Sequence, residues 1–253
     1  MLSIVLLGTG NVATHLFQAF QNTKEVEIIE VFGRNTSALA YFDRYTHISN
    51  DIAKIADADI YILAVSDSSI SEVSRALKKK KGLVVHSSGS VPLDAIASSR
   101  GGVFYPLQTF TKGKKVDFSE VPICIETKKE SDIRLLELLG EPISKQVHQI
   151  SSEQRKKLHL GAVLVNNFPN HLYNMAYGLC TENNIPFGLL WPLISETVDK
   201  IRHLSPKEAQ TGPARRNDVK TMQEHLEQLQ DPIQKKIYQL LSESIKTTYE
   251  EEL

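Results

Sequence analysis

Cysteine is scarce in this chain of 253 residues, and the two present, Cys124 and Cys180, stand far apart. They match neither a metal-ligand nor a redox spacing, which speaks against a cysteine-built metal or redox centre and fits the reduced thiols of a cytoplasmic protein. A surplus of charge is missing as well. The formal net charge is -1, so no global field draws nucleic acid or an anionic membrane. Long apolar runs are absent. The N-terminal run Leu2-Ser3-Ile4-Val5-Leu6-Leu7 has no basic segment ahead of it and breaks at Gly8. It reads as a buried strand rather than a signal peptide or membrane span. Internal repeats and low-complexity segments are lacking too, and the run Lys78-Lys79-Lys80-Lys81 reads as a solvated helix end. What remains is an ordinary globular composition, 41% hydrophobic and long enough for one large domain or two smaller ones. The expected partners are a small-molecule substrate and the chain itself, with no nucleic acid and no membrane.

The most informative stretch is the first one. The apolar run ends in Gly8-Thr9-Gly10-Asn11-Val12-Ala13, a strand leading into G-x-G-x-x-A and then into helical spacing. In a nucleotide-binding turn the first glycine permits the tight bend and the second lets a pyrophosphate approach the backbone. The small third residue allows close helix-strand packing, and the helix start offers free N–H groups to phosphate. The position at a strand-to-helix junction favours dinucleotide binding over an ordinary glycine turn. A second strand, 26–32, ends in Gly33-Arg34-Asn35. An acidic residue here would bond the ribose 2′-hydroxyl of NAD, whereas an arginine about twenty residues beyond the fingerprint suits the 2′-phosphate of NADP. Gly8, Thr9, Gly10, Asn11, Val12, Arg34 and Asn35 are therefore the first cofactor-binding candidates.

Two further strands end in polar residues. Asp59-Ile60-Tyr61-Ile62-Leu63-Ala64-Val65 runs into Ser66-Asp67-Ser68-Ser69, and Gly82-Leu83-Val84-Val85 into His86-Ser87-Ser88-Gly89. Ligands of an open parallel sheet lie beyond the carboxyl ends of its strands, which adds Val65, Ser66, Ser87 and Ser88 to the cofactor candidates. The serines can equally cap the helices that follow. Shorter strands are expected at 102–104 and 122–126, with a helix over 131–139. This alternation predicts an α/β domain with a doubly wound, mostly parallel, Rossmann-like sheet over residues 1–150.

Residues 151–253 are expected to form an all-α domain. Ser151 and Gln154 form a capping-box start, and Asp231-Pro232 marks another helix start. The long helix expected over 152–183 carries two stripes. Leu158, Ala162, Val165, Leu172, Ala176 and Leu179 form an apolar face, and His159, Asn166, Asn170, Tyr173 and Tyr177 project to another side. Aligned polar groups of this kind suit the wall of a substrate cleft between the domains. Reduction of a C=O or C=N bond needs a proton, and imidazole titrates near neutrality, so His159 is the leading donor and His86 the alternative. Asn166 and Asn170 could orient the substrate. Pro169 should bend the helix or free a carbonyl beside them. In the loop Thr211-Gly212-Pro213-Ala214-Arg215-Arg216-Asn217-Asp218, an arginine could bind a carboxylate or the cofactor's phosphates, or Asp218 and Arg216 could brace the loop, Asp218 being placed to cap the next helix.

Taken together, the glycine turn, Arg34-Asn35, Ala64-Val65-Ser66-Asp67, His86-Ser87-Ser88-Gly89, Pro106-Leu107-Gln108-Thr109-Phe110, His159 with Asn166-Asn167, and Thr211-Gly212-Pro213-Ala214 with Arg216 and Asp218 resemble a bacterial family of NADP-binding oxidoreductases. That family joins a Rossmann-like domain to a helical domain of unknown function. More distantly the chain is similar to pyrroline-5-carboxylate reductase, ketopantoate reductase and the 6-phosphogluconate dehydrogenase class. The resemblance implies a cytoplasmic NADP-dependent reductase or dehydrogenase acting on a small ketone, imine or alcohol, carboxylate-bearing by expectation, and a homodimer built through the helical domain. A non-catalytic NADP-binding sensor or interaction protein is the alternative, and the deazaflavin of some relatives stays open as hydride carrier. Two departures are visible. The lysine and asparagine four residues apart used by some distant relatives have no counterpart, since Ala162 precedes Asn166 and Val163 precedes Asn167 at that spacing. Tyr105 stands where the closer family is expected to carry histidine.

Overall fold

The computed structural model describes residues 1–249. They divide into two compact units, Met1–Asn166 and the chain from Asn167 onward. Eight strands lie in the first unit: β1 (Leu2–Leu7), β2 (Val26–Phe32), β3 (His47–Ser49), β4 (Ile60–Leu63), β5 (Leu83–His86), β6 (Gly101–Pro106), β7 (Ile123–Thr127) and β8 (Val147–Gln149). They form one sheet in the order β3-β2-β1-β4-β5-β6-β7-β8. Only β6 and β7 pair antiparallel. The strand order turns between β1 and β4, the place where an open sheet of this kind leaves a ligand crevice at its carboxyl edge.

Near-continuous apolar runs are what a sheet covered on both faces requires, because successive residues point to opposite sides. Ile4, Leu6, Ile60, Ile62, Leu83 and Val85 enter one core with Leu16, Phe17 and Phe20 of α1 (Asn11–Phe20), Leu39 and Phe42 of α2 (Thr36–Asp43), and Leu136 and Leu139 of α4 (Ile133–Gly140). Val5, Leu7, Tyr61, Leu63 and Val84 enter the opposite core with Ile70 of α3 (Ile70–Ala76). The edge strands β3 and β8 were not expected from the sequence. Each has only three residues, His-Ile-Ser and Val-His-Gln, too short and too polar to show a pattern.

The helix α5 (Ser152–Ala162) starts at the expected capping box, with Ser151 and Gln154 each accepting from the other's backbone N–H. Its first turn is fastened to the sheet. Both carboxylate oxygens of Glu126 on β7 are used, one accepting from the Ser152 N–H and the other from the Ser152 hydroxyl and Arg155. This anchorage keeps α5 with the sheet, and the division between units falls after Asn166 rather than after residue 150.

Beyond α5 the chain forms a π-helical segment, Val163–Asn167, and then α6 (Phe168–Glu182). Pro169 explains the interruption. It has no N–H to offer, and its ring crowds the carbonyl four residues back, which a widened turn relieves. The second unit continues with α7 (Trp191–Lys200), α8 (Pro206–Ala209), α9 (Val219–Gln228) and α10 (Pro232–Tyr249). Asp218 caps α9 by accepting from the Thr221 N–H, and Asp231 accepts from the N–H groups of Ile233 and Gln234 at the start of α10. The apolar stripe differs from expectation in one respect. Leu158, Val165, Leu172 and Leu179 are exposed in the single chain, Val165 at 76%. The helical period is right, but none of the described residues covers that face. Among the described residues no helix is long and apolar enough to cross a membrane.

Candidate functional site

The glycine turn after β1 lies at the floor of a cleft of about 680 Å³. Gly8 has a φ of +131°, and a Cβ on it would meet the Ala64 carbonyl oxygen at 2.1 Å. Only glycine lets β1 turn this close to the end of β4. Above Gly10 there is open space, with nothing within 4 Å of where a Cβ would stand. Gly10 caps α1 without a side-chain hydrogen bond, and the first turn carries no acidic residue. Its free N–H groups and the positive end of the helix dipole therefore face an opening suited to an anion. The cleft is lined by Gly8, Thr9, Gly10, Arg34, Asn35, Val65 and Ser66, all sequence candidates. Ile52, Val73 and Ala76 add an apolar wall, and Asp51 and Glu72 add carboxylates. The sequence reading missed these five, because they come from a 3-10 turn and a helix flank that carry no local motif. Asn35 also caps α2, its Oδ1 accepting from the Ala38 N–H at 3.1 Å.

Four candidates do not line the cleft. Asn11 turns its amide to the Phe110 carbonyl at 3.0 Å. Val12 packs against the core under α1. The Ser87 hydroxyl donates to the Leu63 carbonyl, and the Ser88 hydroxyl accepts from the N–H groups of Ser90 and Val91. The two serines thus brace the turn after β5, and the next helical segment has Pro92 at its cap position instead.

A second polar centre sits farther along the same carboxyl edge, within the first unit. Tyr105, near the end of β6, is buried, and its hydroxyl lies 3.2 Å from Nδ1 of His159 on α5. Burial pushes the Tyr105 hydroxyl up to about 12, so it keeps its proton, and the two groups share one hydrogen bond whose donor follows the imidazole tautomer. Gly89 makes room for the pair. A Cβ there would come within 2.6 Å of His159 Nδ1 and 2.8 Å of the Tyr105 ring. One helical turn before His159, Arg155 is fully buried, paired with Glu126 and donating to the Val91 carbonyl. It fixes the helix that presents His159. His86, the alternative proton donor, is enclosed, and burial followed by the charge of Arg155 holds it down to about 4. A neutral, enclosed imidazole cannot serve as an acid at neutral pH. Asn166 lies exposed in the π segment, and Asn170 lies exposed on α6 in the second unit. Tyr105 was noticed in the sequence only as a departure; its contact with His159 spans 54 positions and no local pattern announces it.

The model of a family described as NADP oxidoreductase coenzyme F420-dependent matches residues 3–88, and that of a domain of unknown function, DUF2520, matches residues 121–245. No curated protein matches the sequence. Among solved structures, a candidate NADP oxidoreductase of Bacteroides fragilis is 38% identical, with 97% of this chain and 98% of that one covered and a TM-score of 0.89. A Thermotoga maritima protein is 19% identical, with coverage of 98% and 99% and a TM-score of 0.73. Plasmodium falciparum pyrroline carboxylate reductase, solved with NADP bound, is 11% identical, with 98% of each chain covered and a TM-score of 0.58. The last two speak for the fold alone.

Proposed function

The chain belongs to the NADP oxidoreductase family that joins an F420-dependent-type dinucleotide domain to DUF2520, and from that premise we propose that it is a cytoplasmic NADP-dependent reductase or dehydrogenase of a small ketone, imine or alcohol bearing a carboxylate. The observation that carries this reading is the cleft itself: an open space over Gly10, an uncapped helix start beside it and Arg34 on its lining. These features fit a dinucleotide with a 2′-phosphate. Gly8, Thr9 and Gly10 would hold the pyrophosphate, Arg34 the 2′-phosphate, and Val65 and Ser66 the far side. When bound, NADP supplies or accepts the hydride. The protein's own part is proton delivery. Tyr105 orients His159, and the imidazolium form of His159 gives its Nε2 proton to the substrate oxygen or nitrogen as the hydride reduces its π bond, leaving the ring neutral. In the oxidising direction the same nitrogen receives it.

Two further features support the reading. The thiols of Cys124 and Cys180 are free and buried, in keeping with the cytoplasm. A second copy of the chain is the partner that the helical unit calls for. Among its described apolar side chains only Cys180, Ala214, Leu229 and Tyr249 are buried, while Leu189, Trp191 and Leu193 are 59–70% exposed. So large an apolar surface marks an interface.

The test follows NADPH absorbance over a panel of carboxylate-bearing ketones and imines, with binding measured separately by calorimetry. His159→Ala is expected to bind NADPH as the parent does and to lose turnover by roughly 10²–10⁴-fold, the usual contribution of a positioned acid. An unchanged rate removes His159 from the mechanism. NADPH binding without oxidation on any substrate favours a non-catalytic sensor instead.

A further inference from the structure

Next to the dinucleotide cleft, and sharing Thr9 with it, lies a second cavity of about 730 Å³ between α1, α2 and the loop 110–115. Lys112, Lys114 and Lys115 line it, and none of its lining residues is acidic. That is unusual in a chain with 30 acidic residues against 29 basic ones. Among the described residues these three ammonium groups make no ion pair. The loop is nevertheless built in place. The Asn11 amide donates to the Phe110 carbonyl at 3.0 Å, and His15 Nε2 lies 2.8 Å from the Lys114 carbonyl. Phe110 stacks on Phe118 with ring centroids 5.7 Å apart and an interplanar angle of 18°. Ser37 of α2 adds a hydroxyl to the lining, and Thr14 of α1 lines it too with its own hydroxyl donating to the Gly10 carbonyl. Ser37 belongs to the first turn of the helix that Asn35 caps, next to Arg34.

We propose that the cavity walled by Lys112, Lys114, Lys115 and Ser37 is a phosphate-monoester site that extends the dinucleotide cleft. Three cations that make no ion pair among the described residues and line a hollow with no carboxylate in its described lining recognise charge rather than shape, and phosphate is the compact dianion that satisfies several ammonium groups at once. The monoester has two sources. It is the 2′-phosphate of the dinucleotide, in which case the loop adds to Arg34 in discriminating NADP from NAD, or it is the phosphate of a separate small molecule bound alongside. The first source rests on the proposed NADP reading; the second does not.

The experiment compares the full-length protein with the triple variant Lys112→Ala/Lys114→Ala/Lys115→Ala, whose exposed side chains are outside the packed cores. Calorimetry measures the binding of NADPH, of NADH and of inorganic phosphate, the last with and without saturating NADPH. A cofactor source predicts that the NADPH Kd rises roughly tenfold or more in the variant while the NADH Kd stays within about twofold, as loss of charge-assisted contacts to one phosphate requires. A separate source predicts unchanged dinucleotide binding and inorganic phosphate bound by the parent on top of NADPH but not by the variant. The proposal is overturned if the variant binds NADPH like the parent and the parent binds no inorganic phosphate. Should the parent bind neither dinucleotide, the NADP reading fails, and phosphate binding alone decides on the cavity.

Discussion

Removing the carboxylate of Glu126 should destabilise the protein severely, and the size of the effect follows from where its partner lies. The Arg155 side chain has no exposure at all, and that of Glu126 has 17%. Arg155 also donates to the Val91 carbonyl and the Ser152 hydroxyl, so its guanidinium cannot swing out to water without breaking the first turn of α5. Two unit charges about 4 Å apart attract by roughly 4 kcal/mol at the effective dielectric of a protein site. Breaking a buried pair by deleting one member typically costs about 3–5 kcal/mol, because the other charge is left uncompensated. Glu126→Ala is therefore expected to lose about 3–5 kcal/mol in urea unfolding at unchanged m-value. For a unit of this size that corresponds to a fall in Tm of about 6–20 °C. Glu126→Leu combined with Arg155→Leu should cost much less than the two single changes added together, since no orphaned charge remains. A loss below about 1 kcal/mol for Glu126→Ala, or full additivity in the double variant, would refute the argument that this pair holds α5 to the sheet.

His86 gives a pH dependence with a definite sign. Its pKa is lowered from 6.5 to about 4 in the folded chain, chiefly by burial, so between those values the unfolded chain binds the extra proton. The stability it contributes is complete above pH 6.5 and is lost as the pH falls toward 4, about 3 kcal/mol in all at roughly 1.4 kcal/mol per unit. Urea unfolding at pH 7 and pH 4.5 checks this: His86→Gln should flatten that part of the profile, and an equally steep profile in the variant contradicts it. The proposed dimer is tested by sedimentation equilibrium. Leu193, 64% exposed in the single chain, should be covered by the second copy, and burying a leucine is worth about 1.5–3 kcal/mol. Leu193→Asp, present twice in a symmetric dimer, should shift the mass to that of one chain without unfolding it. A parent protein that sediments as a single chain contradicts the proposed interface.

Legibility in the sequence followed the range of the forces involved. The strands β1, β2, β4 and β5 were readable because a sheet covered on both faces needs predominantly apolar runs, and the glycine turn because φ > 0 at Gly8 admits almost no other residue. The caps at Ser151, Asp218 and Asp231 were readable for the same reason, each being complete within four residues. The two short edge strands were not. Their pairing is supplied by neighbouring strands, and three residues carry no period.

By itself, therefore, the sequence determined a doubly wound nucleotide domain, a helical second half and the floor of the cofactor cleft, since these depend on local backbone geometry and on period. Only the tertiary structure decided which polar groups meet. Glu126 with Arg155, Tyr105 with His159, and the lysines of 112–115 with the first turn of α2 are each brought together across 29 or more positions by the crossing of strands and helices. It also decided the partners of two serine hydroxyls in the turn after β5, Ser87 donating to the Leu63 carbonyl and Ser88 accepting from the N–H groups of Ser90 and Val91, because folding places those backbone groups beside them.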